Sequence, residues 1–506
     1  MRPVVTVAEM RAADAAALAH VDQSALVARA GTAVAFAALR MLGSGYGHRV
    51  VVVAGKGNNG ADGRVAGAVL RRRGCRVTLL DAAAPGRLPP CDLVVDAAYG
   101  TGFRGTYVAP LVPPEARVLA VDIPSGVDGD TGKASGRPMP ADRTVTFAAL
   151  KPGLLQGDGP RLAGEVVVAD IGVPVGTPPV QLVDDADVVD LVPRRTSSAH
   201  KWATAVAVVA GSPGMEGAAA LSAAGASHAG AGMVRLAVPG VPADQPGPWP
   251  IEAVRMPLPA DRGQWVDDVL AVLGRCRALV VGPGLGRHDA TVEHVRRLVA
   301  ESPVPVVADA DALFALGKAD DARTVLAGDR QAGDRQVVLT PHDGEYERLA
   351  GEPPGPDRLA AARHLADRTG AVVLLKGSLT AVASPAAHIP AAASPAASTD
   401  VGQVLLAAAG SPRLATAGTG DVLSGVIGAL LARGVPAAGA AALGAHVHGR
   451  AAGRGPAEGL VAEDLPALVS AWLSDALGDG RPVDGRPAVG RSVDGRPAVG
   501  RSVDGR

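Results

Sequence analysis

The sequence predicts an α/β protein made of two doubly wound units in one chain. Three observations carry that reading. Short apolar strands rich in Val and Leu alternate with Ala-rich helical stretches, as in a parallel sheet covered on both faces. The alternation is interrupted once, between Pro174 and Arg195, where the chain turns rich in Pro and Asp before it resumes. And 506 residues are too many for one hydrophobic core.

Up to about residue 45 the chain reads as helix, with Met10, Leu18, Leu26, Val34 and Leu39 among polar positions. A buried strand at 50–54, a helix at 61–73 and a strand at 76–80 follow. Strands at 93–96 and 118–122 each end in Asp, and two more are expected at 145–147 and 166–170. The second unit opens with a strand at 204–210, continues with strands at 279–281, 304–308, 337–339 and 372–375, and carries a long apolar helix from near Val422. Segments 328–336, where GDRQ occurs in near duplicate, and 384–399, rich in Ala, Pro and Ser, read as surface loops. From Arg481 a ten-residue unit repeats with Gly every five residues. It offers too little apolar surface to offset its ordering entropy, which predicts a disordered tail. The expected division is 1–190, 191–478 and a repeat tail at 479–506.

Composition narrows the function. Apolar residues make up 48% but aromatics only 2%, so the core is filled by Ala, Val and Leu. A net charge of -1 gives no electrostatic case for nucleic acid or an anionic membrane. A small anionic ligand must then be held by local groups such as helix N-termini. Cys75, Cys91 and Cys276 are scattered and form no CxxC, which argues against a disulfide framework or a zinc site and suits a reducing cytosol. No basic stretch leads into an apolar run near Met1, and no run approaches the ~18 uninterrupted apolar residues of a membrane span. The expected location is the cytoplasm.

The first Gly-rich loop admits two readings. Strand 50–54 runs into GKGNNGADG and then a helix. Gly55, Gly57 and Gly60 satisfy G-x-G-x-x-G, and Asp81 closes the next strand, so the fingerprint alone predicts a dinucleotide-binding unit with Asp81 on the ribose. Two features oppose it. Asn58 and Asn59 put paired carboxamides where a pyrophosphate loop carries small or apolar residues. Asp62 stands at the start of the following helix, where its charge repels a bound phosphate. Amide oxygens and carboxylates facing one pocket instead suit a hard cation or a polyhydroxylated ligand. Two other strand exits, DAAYGTGFRGT from Asp96 and DIPSGVDGDTG from Asp122, agree. Ligands bind at the carboxyl ends of strands in such sheets, so Asn59, Asp96, Asp122 and Ser125 are expected to converge. One such Asp more often caps a turn, but three in register favour a site.

The strongest chemical signal of the second unit is AGTGDVLSG at 417–425, opening the apolar helix. Gly418 and Gly420 let backbone come close to a phosphate, and free N–H groups at the helix start cradle developing negative charge. Asp421 stands where it takes a proton from an attacking hydroxyl. VVGPGLG at 280–286 and DADAL at 309–313 are further strand exits; LTPHDGEYERL at 339–349 carries His342 and Glu345, and LLKGSLT at 374–380 carries Lys376. Singly, His342 reads as a surface histidine and Lys376 as a solvated charge. A G-T-G-D loop before a long apolar helix resembles the ribokinase-like superfamily, and in that frame both fall on one rim.

The motifs support a closer resemblance. GKGNNGADG, VDAAYGTGFRG, VDIPSGVDGDTG and TFAALKPGLL with GEVVVADIGVP resemble, in order and spacing, the NAD(P)H-hydrate epimerase family over roughly residues 5–175. The resemblance implies a Rossmann-like unit in which Asn58, Asn59, Gly60, Ala61 and Asp62 contact the hydrated cofactor. Gly100, Thr101, Gly102, Phe103, Arg104, Gly105 and Thr106 line the substrate with Asp122. It also implies K+ held by Asn59, Asp96 and Ser125, and Asp122 with Lys151 as acid and base for inverting C6. Ala61 departs from the family's usual Gly.

From 196 to 470, HKWATAVAVVAGSPGMEGAA, GPGLG, LTPHDGEYERL and LATAGTGDVLSGVIGALLARG resemble the ADP/ATP-dependent NAD(P)H-hydrate dehydratase family, which is ribokinase-like. Ala218, Gly284, His342 and Asp421 then contact the hydrate, and Lys376, Gly377, Ser378, Leu379, Thr380 and Gly420 the nucleotide. Phosphorylation of the C6 hydroxyl with Asp421 as base, and loss of phosphate, is the implied route, with ADP and Mg2+ and with AMP as product. Trp202 stands where Gly is usual. NADHX or NADPHX and ADP are the implied small-molecule partners of a homo-oligomer. Three other readings stay open from the residues alone: a vitamin or sugar kinase with a regulatory domain, a dehydrogenase built on Gly55–Gly60, and a first unit that only binds.

Overall fold

The computed structural model describes residues 1–83, 86–258, 265–328, 336–386 and 402–478. The repeat tail and most of the two expected insertion loops lie outside the described residues.

Buried runs of Val and Leu form the first sheet, six parallel strands in the order Arg76–Asp81, Arg49–Ala54, Leu93–Ala97, Arg117–Val121, Arg143–Phe147 and Glu165–Ala169. The chain steps outward from Arg49–Ala54 to Arg76–Asp81, then crosses back to Leu93–Ala97 on the other side. That reversal is a topological switch point, and the loops after Ala54 and Ala97 diverge there to leave a crevice.

The helix after the Gly-rich loop runs Asn58–Arg72, three residues earlier than the sequence pattern suggests, with Gly57 extended at its N-cap. Its first turn therefore carries both carboxamides over the strand ends. The N-terminal helical region divides into Val7–Leu18 and Gln23–Leu42. Gln23–Leu42 is long and apolar enough to cross a membrane, but here it packs on Asn58–Arg72. A Cβ on Gly31 would stand 2.5 Å from Val65 Cβ, so the two helices touch closely.

The second sheet has eleven strands: Arg2–Val4, Val180–Leu182, Val404–Ala407, Thr380–Ala383, Val372–Leu375, Val337–Leu339, Val306–Ala308, Ala278–Val281, Ala205–Val209, Met233–Ala237 and Val254–Arg255. From Val372–Leu375 to Val254–Arg255 every pair is parallel. Helices cover both faces; Glu216–His228, Thr419–Ala432, Ala437–Ala452 and Asp464–Leu477 pack on one of them.

Thr419–Ala432 is buried along nearly its whole length. A Cβ on Gly425 would stand 2.1 Å from Ser222 O, so this helix meets Glu216–His228 backbone to backbone. Its N-terminus is thereby fixed over the strand ends.

Eight strands of the described residues are not legible in the sequence: Tyr107–Val108, Gly136–Arg137, Met233–Ala237, Val254–Arg255, Thr380–Ala383, Val404–Ala407 and two where the units join. Arg2–Val4 pairs antiparallel with Val180–Leu182, and Val4 also bridges Leu150 of the first unit. Val180–Leu182 and the helix Asp185–Leu191 fall inside the Pro- and Asp-rich stretch, yet both pack on the larger sheet.

Candidate functional site

The first site lies at the switch point. Asp122 follows strand Arg117–Val121 with φ 67°. Among the described residues only Ala148 (φ 62°) and Ala310 (φ 50°) share that left-handed backbone without being Gly. Such a conformation costs on the order of 1 kcal/mol or more and clusters at working sites. All three stand just beyond strands at the two sites described here.

Asp122 Oδ1 pairs with Lys151 Nζ at 2.9 Å, and Thr101 N–H donates to Oδ2 at 3.2 Å. Lys151 is 1% exposed and also donates to Thr146 Oγ1 at 2.8 Å and Phe147 O at 2.9 Å. Burial works against the Asp122 charge, but the Lys151 ammonium and the Thr101 N–H outweigh it and hold the carboxyl below the usual range. Asp62 is the opposite case. Burial, with the Asp122 charge beside it, pushes its pKa up to about 8, so it carries a proton at neutral pH. Carboxyls forced into different protonation states at one site suit acid–base work.

Asp96 is fully buried, and burial raises its pKa. Ser125 Oγ–H donates to Oδ1 at 2.7 Å and Ser125 N–H to Oδ2 at 3.0 Å. Ser125 Oγ also contacts Tyr99, whose neighbour Gly100 borders Asn59: a Cβ on Gly100 would stand 3.5 Å from Asn59 Oδ1 and 3.1 Å from Asp122 Oδ2. The buried Asn59 amide atoms have no partner among the described residues. The orphaned Asn59 amide oxygen, and an Asp96 carboxyl that meets only Ser125 and Ala98 N–H or O–H groups among the described residues, fit an oxygen-seeking cation of low charge.

These groups open on a cavity of about 560 Å³ that Asn58, Asn59, Asp62 and Gly100 to Arg104 help to line. Gly105 and Thr106 lie beyond it, and Arg104 pairs with Asp128 at 3.2 Å. Gly60 and Ala61 do not line it either. A Cβ on Gly60 would stand 1.9 Å from Gly55 O, and one on Gly55 1.9 Å from Ala98 O. Packing alone thus requires two glycines of the dinucleotide-like fingerprint. Asp81 is exposed and accepts from Ala83 N–H, an ordinary turn contact.

The second site gathers where Thr419–Ala432 begins. No side chain caps that helix, and Gly418 takes φ 88° just before it. Asp421 lies in its first turn. Burial and the neighbouring Asp309 charge, opposed by Lys376, push the Asp421 pKa up to about 7. Asp309 is 2% exposed and accepts from Lys376 Nζ at 2.8 Å and Ser424 Oγ at 2.6 Å. Lys376 Nζ also stands 3.6 Å from Glu345 Oε2. A Cβ on Gly420 would be 3.6 Å from Lys376 Nζ, so bare backbone faces that ammonium.

His342 Nδ1 accepts from Gly344 N–H at 3.1 Å and Glu345 N–H at 3.3 Å, capping Asp343–Ala350, so its hydrogen lies on Nε2. Gly284 (φ 65°) meets Ala218: a Cβ there would stand 2.9 Å from Ala218 Cβ. Along the segment after Lys376, Ser378 is exposed and Thr380 Oγ1 donates to Gly377 O, but Leu379 is 1% exposed and its side chain belongs to the core.

Asp309, Ser424 and His448 carry no role legible from the sequence alone. Asp309 had a signal, since it directly follows strand Val306–Ala308 as Asp96 and Asp122 close theirs. His448 had none. It is 5% exposed on the helix behind the loop and hydrogen-bonds the Thr419 backbone; burial takes its pKa down to about 4, which keeps it neutral.

Two acid–base sites on separate doubly wound units define a two-site α/β enzyme. The family described as NAD(P)H-hydrate dehydratase matches residues 206–473, and that described as YjeF-related protein N-terminus matches 23–89 and 80–153. A bifunctional NAD(P)H-hydrate repair enzyme of Moorella thermoacetica is 37% identical over 462 residues, covering 80% of this chain and 82% of that protein. One from Mycobacterium tuberculosis is 38% identical over 477 residues, covering 87% and 92%. The crystal structure of the Bacillus subtilis ADP/ATP-dependent NAD(P)H-hydrate dehydratase with ATP and Mg2+ is 24% identical, with a TM-score of 0.45, over 58% of this chain and 97% of that one. The chain belongs to the family of bifunctional NAD(P)H-hydrate repair enzymes.

Proposed function

We propose that the first unit interconverts the R and S forms of hydrated NADH and NADPH, and that the second dehydrates the S form with ADP, giving NAD(P)H, AMP and phosphate. The observation that carries this is the presence in one chain of two separate acid–base sites, Asp122 with Lys151 and Asp421 above Lys376, each at strand ends and each inside its own family match. A stereospecific dehydratase leaves one epimer behind, so joining it to an epimerase uses both.

In the first unit Asp122 is the base and Lys151 keeps it ionised. Asn59, Asp96 and Ser125 would hold K+, which supplies positive charge beside the substrate. In the second, Asp421 takes the proton of the C6 hydroxyl as its oxygen attacks the terminal phosphorus of ADP. Lys376 and the backbone at Gly420 meet the phosphate charge. The C6–O bond of the phosphate ester then breaks with loss of the C5 proton, and the ring double bond returns. Mg2+ bound with the nucleotide would neutralise phosphate charge there. Ala218, Gly284 and His342 line the hydrate in this reading. The units are read as 1–190 and 191–478, with Val180–Leu182 pairing on the larger sheet, and sedimentation velocity tests for a homo-oligomer.

The test is product stoichiometry with the S epimer, ADP and Mg2+. NADH, AMP and free phosphate should appear in equal amounts. A phosphorylated product that persists, with no NADH, would instead indicate a small-molecule kinase.

A further inference from the structure

We infer that Asp14 is a catalytic residue of the first unit: its carboxyl, on the helical wall of the cavity, passes the second proton of the C6 inversion. This rests on the epimerase reading.

Met10, Asp14 and Leu18 are spaced by four on helix Val7–Leu18, and all three line the cavity that holds Asp122 and Lys151. Residues so spaced share one helix face. Asp14 is half-buried there, between buried Met10 and exposed Leu18. Among the described residues no hydrogen bond or ion pair ties it down. The helix itself is held firmly. Thr6 and Glu9 form a capping box, Val7 N–H donates to Asp130 Oδ1 at 2.8 Å, and Val5 N–H donates to Leu150 O at 2.9 Å, one residue before Lys151. Asp14 is thus presented from a braced helix.

Lys151 is a poor proton carrier. An ammonium has three N–H bonds, and Asp122, Thr146 and Phe147 O take all three. Its geometry suits keeping Asp122 ionised. A second group must therefore serve the ring nitrogen; Asp14 and Asp62 are the other carboxyls on the cavity wall, and the Asp62→Asn arm of the test decides between them. Burial, against the pull of Lys151 and helped by the Asp122 charge, raises the Asp14 pKa, so it keeps its proton to higher pH than an ordinary Asp.

The chemistry balances with these two groups. C6 of the hydrate carries a hydroxyl and is bonded to ring N1. Asp122 takes the hydroxyl proton while the C6–N1 bond breaks, its electron pair going to N1, which takes a proton from Asp14. The resulting aldehyde turns its other face to N1. The C6–N1 bond re-forms, N1 returns its proton to Asp14, and Asp122 returns its proton to the oxygen. Nothing is oxidised or reduced.

The test follows conversion of the R epimer to the S epimer by chiral chromatography, without ADP and where spontaneous exchange is slow, using the full chain. Asp14→Asn should lower kcat by about 100-fold and change KM less than about threefold, and Asp14→Glu should recover much of the rate. Dehydration of the S epimer by the same preparations should match wild type. Unchanged kcat in Asp14→Asn, a loss confined to KM, or loss only in Asp62→Asn would overturn the inference. If thermal melting shows Asp14→Asn unfolded, Asp14→Glu decides: near-wild-type kcat supports it, and a folded but inactive Glu variant overturns it. A wild type that leaves the epimers unmixed fails the epimerase reading instead.

Discussion

Lys376 Nζ contacts Asp309 Oδ1 at 2.8 Å, and that pairing decides which carboxyl of the second site can act as a base. Burial opposes the Asp309 charge, but Lys376 overrides it and keeps Asp309 ionised. Asp421, facing the Asp309 charge without a close cation of its own, is raised to about 7. The paired carboxylate is inert, and the unpaired one is poised near neutrality.

Dehydration should accordingly depend on pH. A base must be ionised, so kcat/KM for the S epimer should rise about tenfold per pH unit below 7 and level off above it. Asp421→Asn should lose activity by about 100-fold or more.

The same variant should gain stability. Because the folded-state pKa of Asp421 lies above the ordinary 3.8, the folded chain binds more protons than the unfolded one between 3.8 and about 7. Stability from this group is complete below that window and falls as pH rises through it. At pH 8 Asp421→Asn should melt a few degrees above wild type, on the order of 1–2 kcal/mol, and the gap should close toward pH 4. Differential scanning calorimetry at both pH values measures it.

Gly420 and Gly425, five residues apart, should respond in opposite ways to Ala. At Gly420 a methyl meets only Lys376 Nζ at 3.6 Å and Asp309 Oδ2 at 3.9 Å, ordinary contacts. Melting should be unchanged while KM for ADP rises. At Gly425 the methyl would stand 2.1 Å from Ser222 O. That variant should lose roughly 2 kcal/mol or more of stability, seen in denaturant titration.

In the first unit Lys151→Met should destabilise more than Asp122→Asn. Removing the ammonium leaves the half-buried Asp122 carboxyl without its cation and a void where the fully buried Lys151 stood, a loss of about 3–5 kcal/mol. Removing the Asp122 charge leaves Lys151 with Thr146 and Phe147 O as acceptors. Urea unfolding monitored with both variants checks the order.

Exchange of K+ for choline should slow epimerisation and leave dehydration on the S epimer untouched. Asp96→Asn should remove that cation dependence. Rates at fixed ionic strength separate the specific effect from screening.

Much of this was legible in the sequence because buried parallel strands are continuous Val and Leu runs, and loops at their carboxyl ends carry the polar residues. Asp96, Asp122 and Ser125 are readable in that way; Ser125 bonds to Asp96, and Asp122 stands with Asn59 beside Gly100. Eight strands were not legible, Met233–Ala237 and Arg2–Val4 among them. Arg2–Val4 contains Pro3, and it exists only because Val180–Leu182 and Leu150 offer it partners. The start of helix Asn58–Arg72 was misplaced because Gly and Asn look like loop until the strand ends beneath fix the first turn. Asp14 was hidden differently: a polar residue on a helix reads as solvent-facing unless the cavity beneath it is known. His448 could not be singled out at all, because its burial comes from tertiary packing alone.

The most direct measurement is recovery of 340 nm absorbance from a mixture of both NADHX epimers with ADP and Mg2+, under slow spontaneous epimerisation. Wild type should restore the whole of the reduced cofactor, Asp122→Asn should stop once the S epimer is consumed, and Asp421→Asn should restore none. Recovery by Asp421→Asn at the wild-type rate, or full recovery by Asp122→Asn, would contradict the assignment of one reaction to each site.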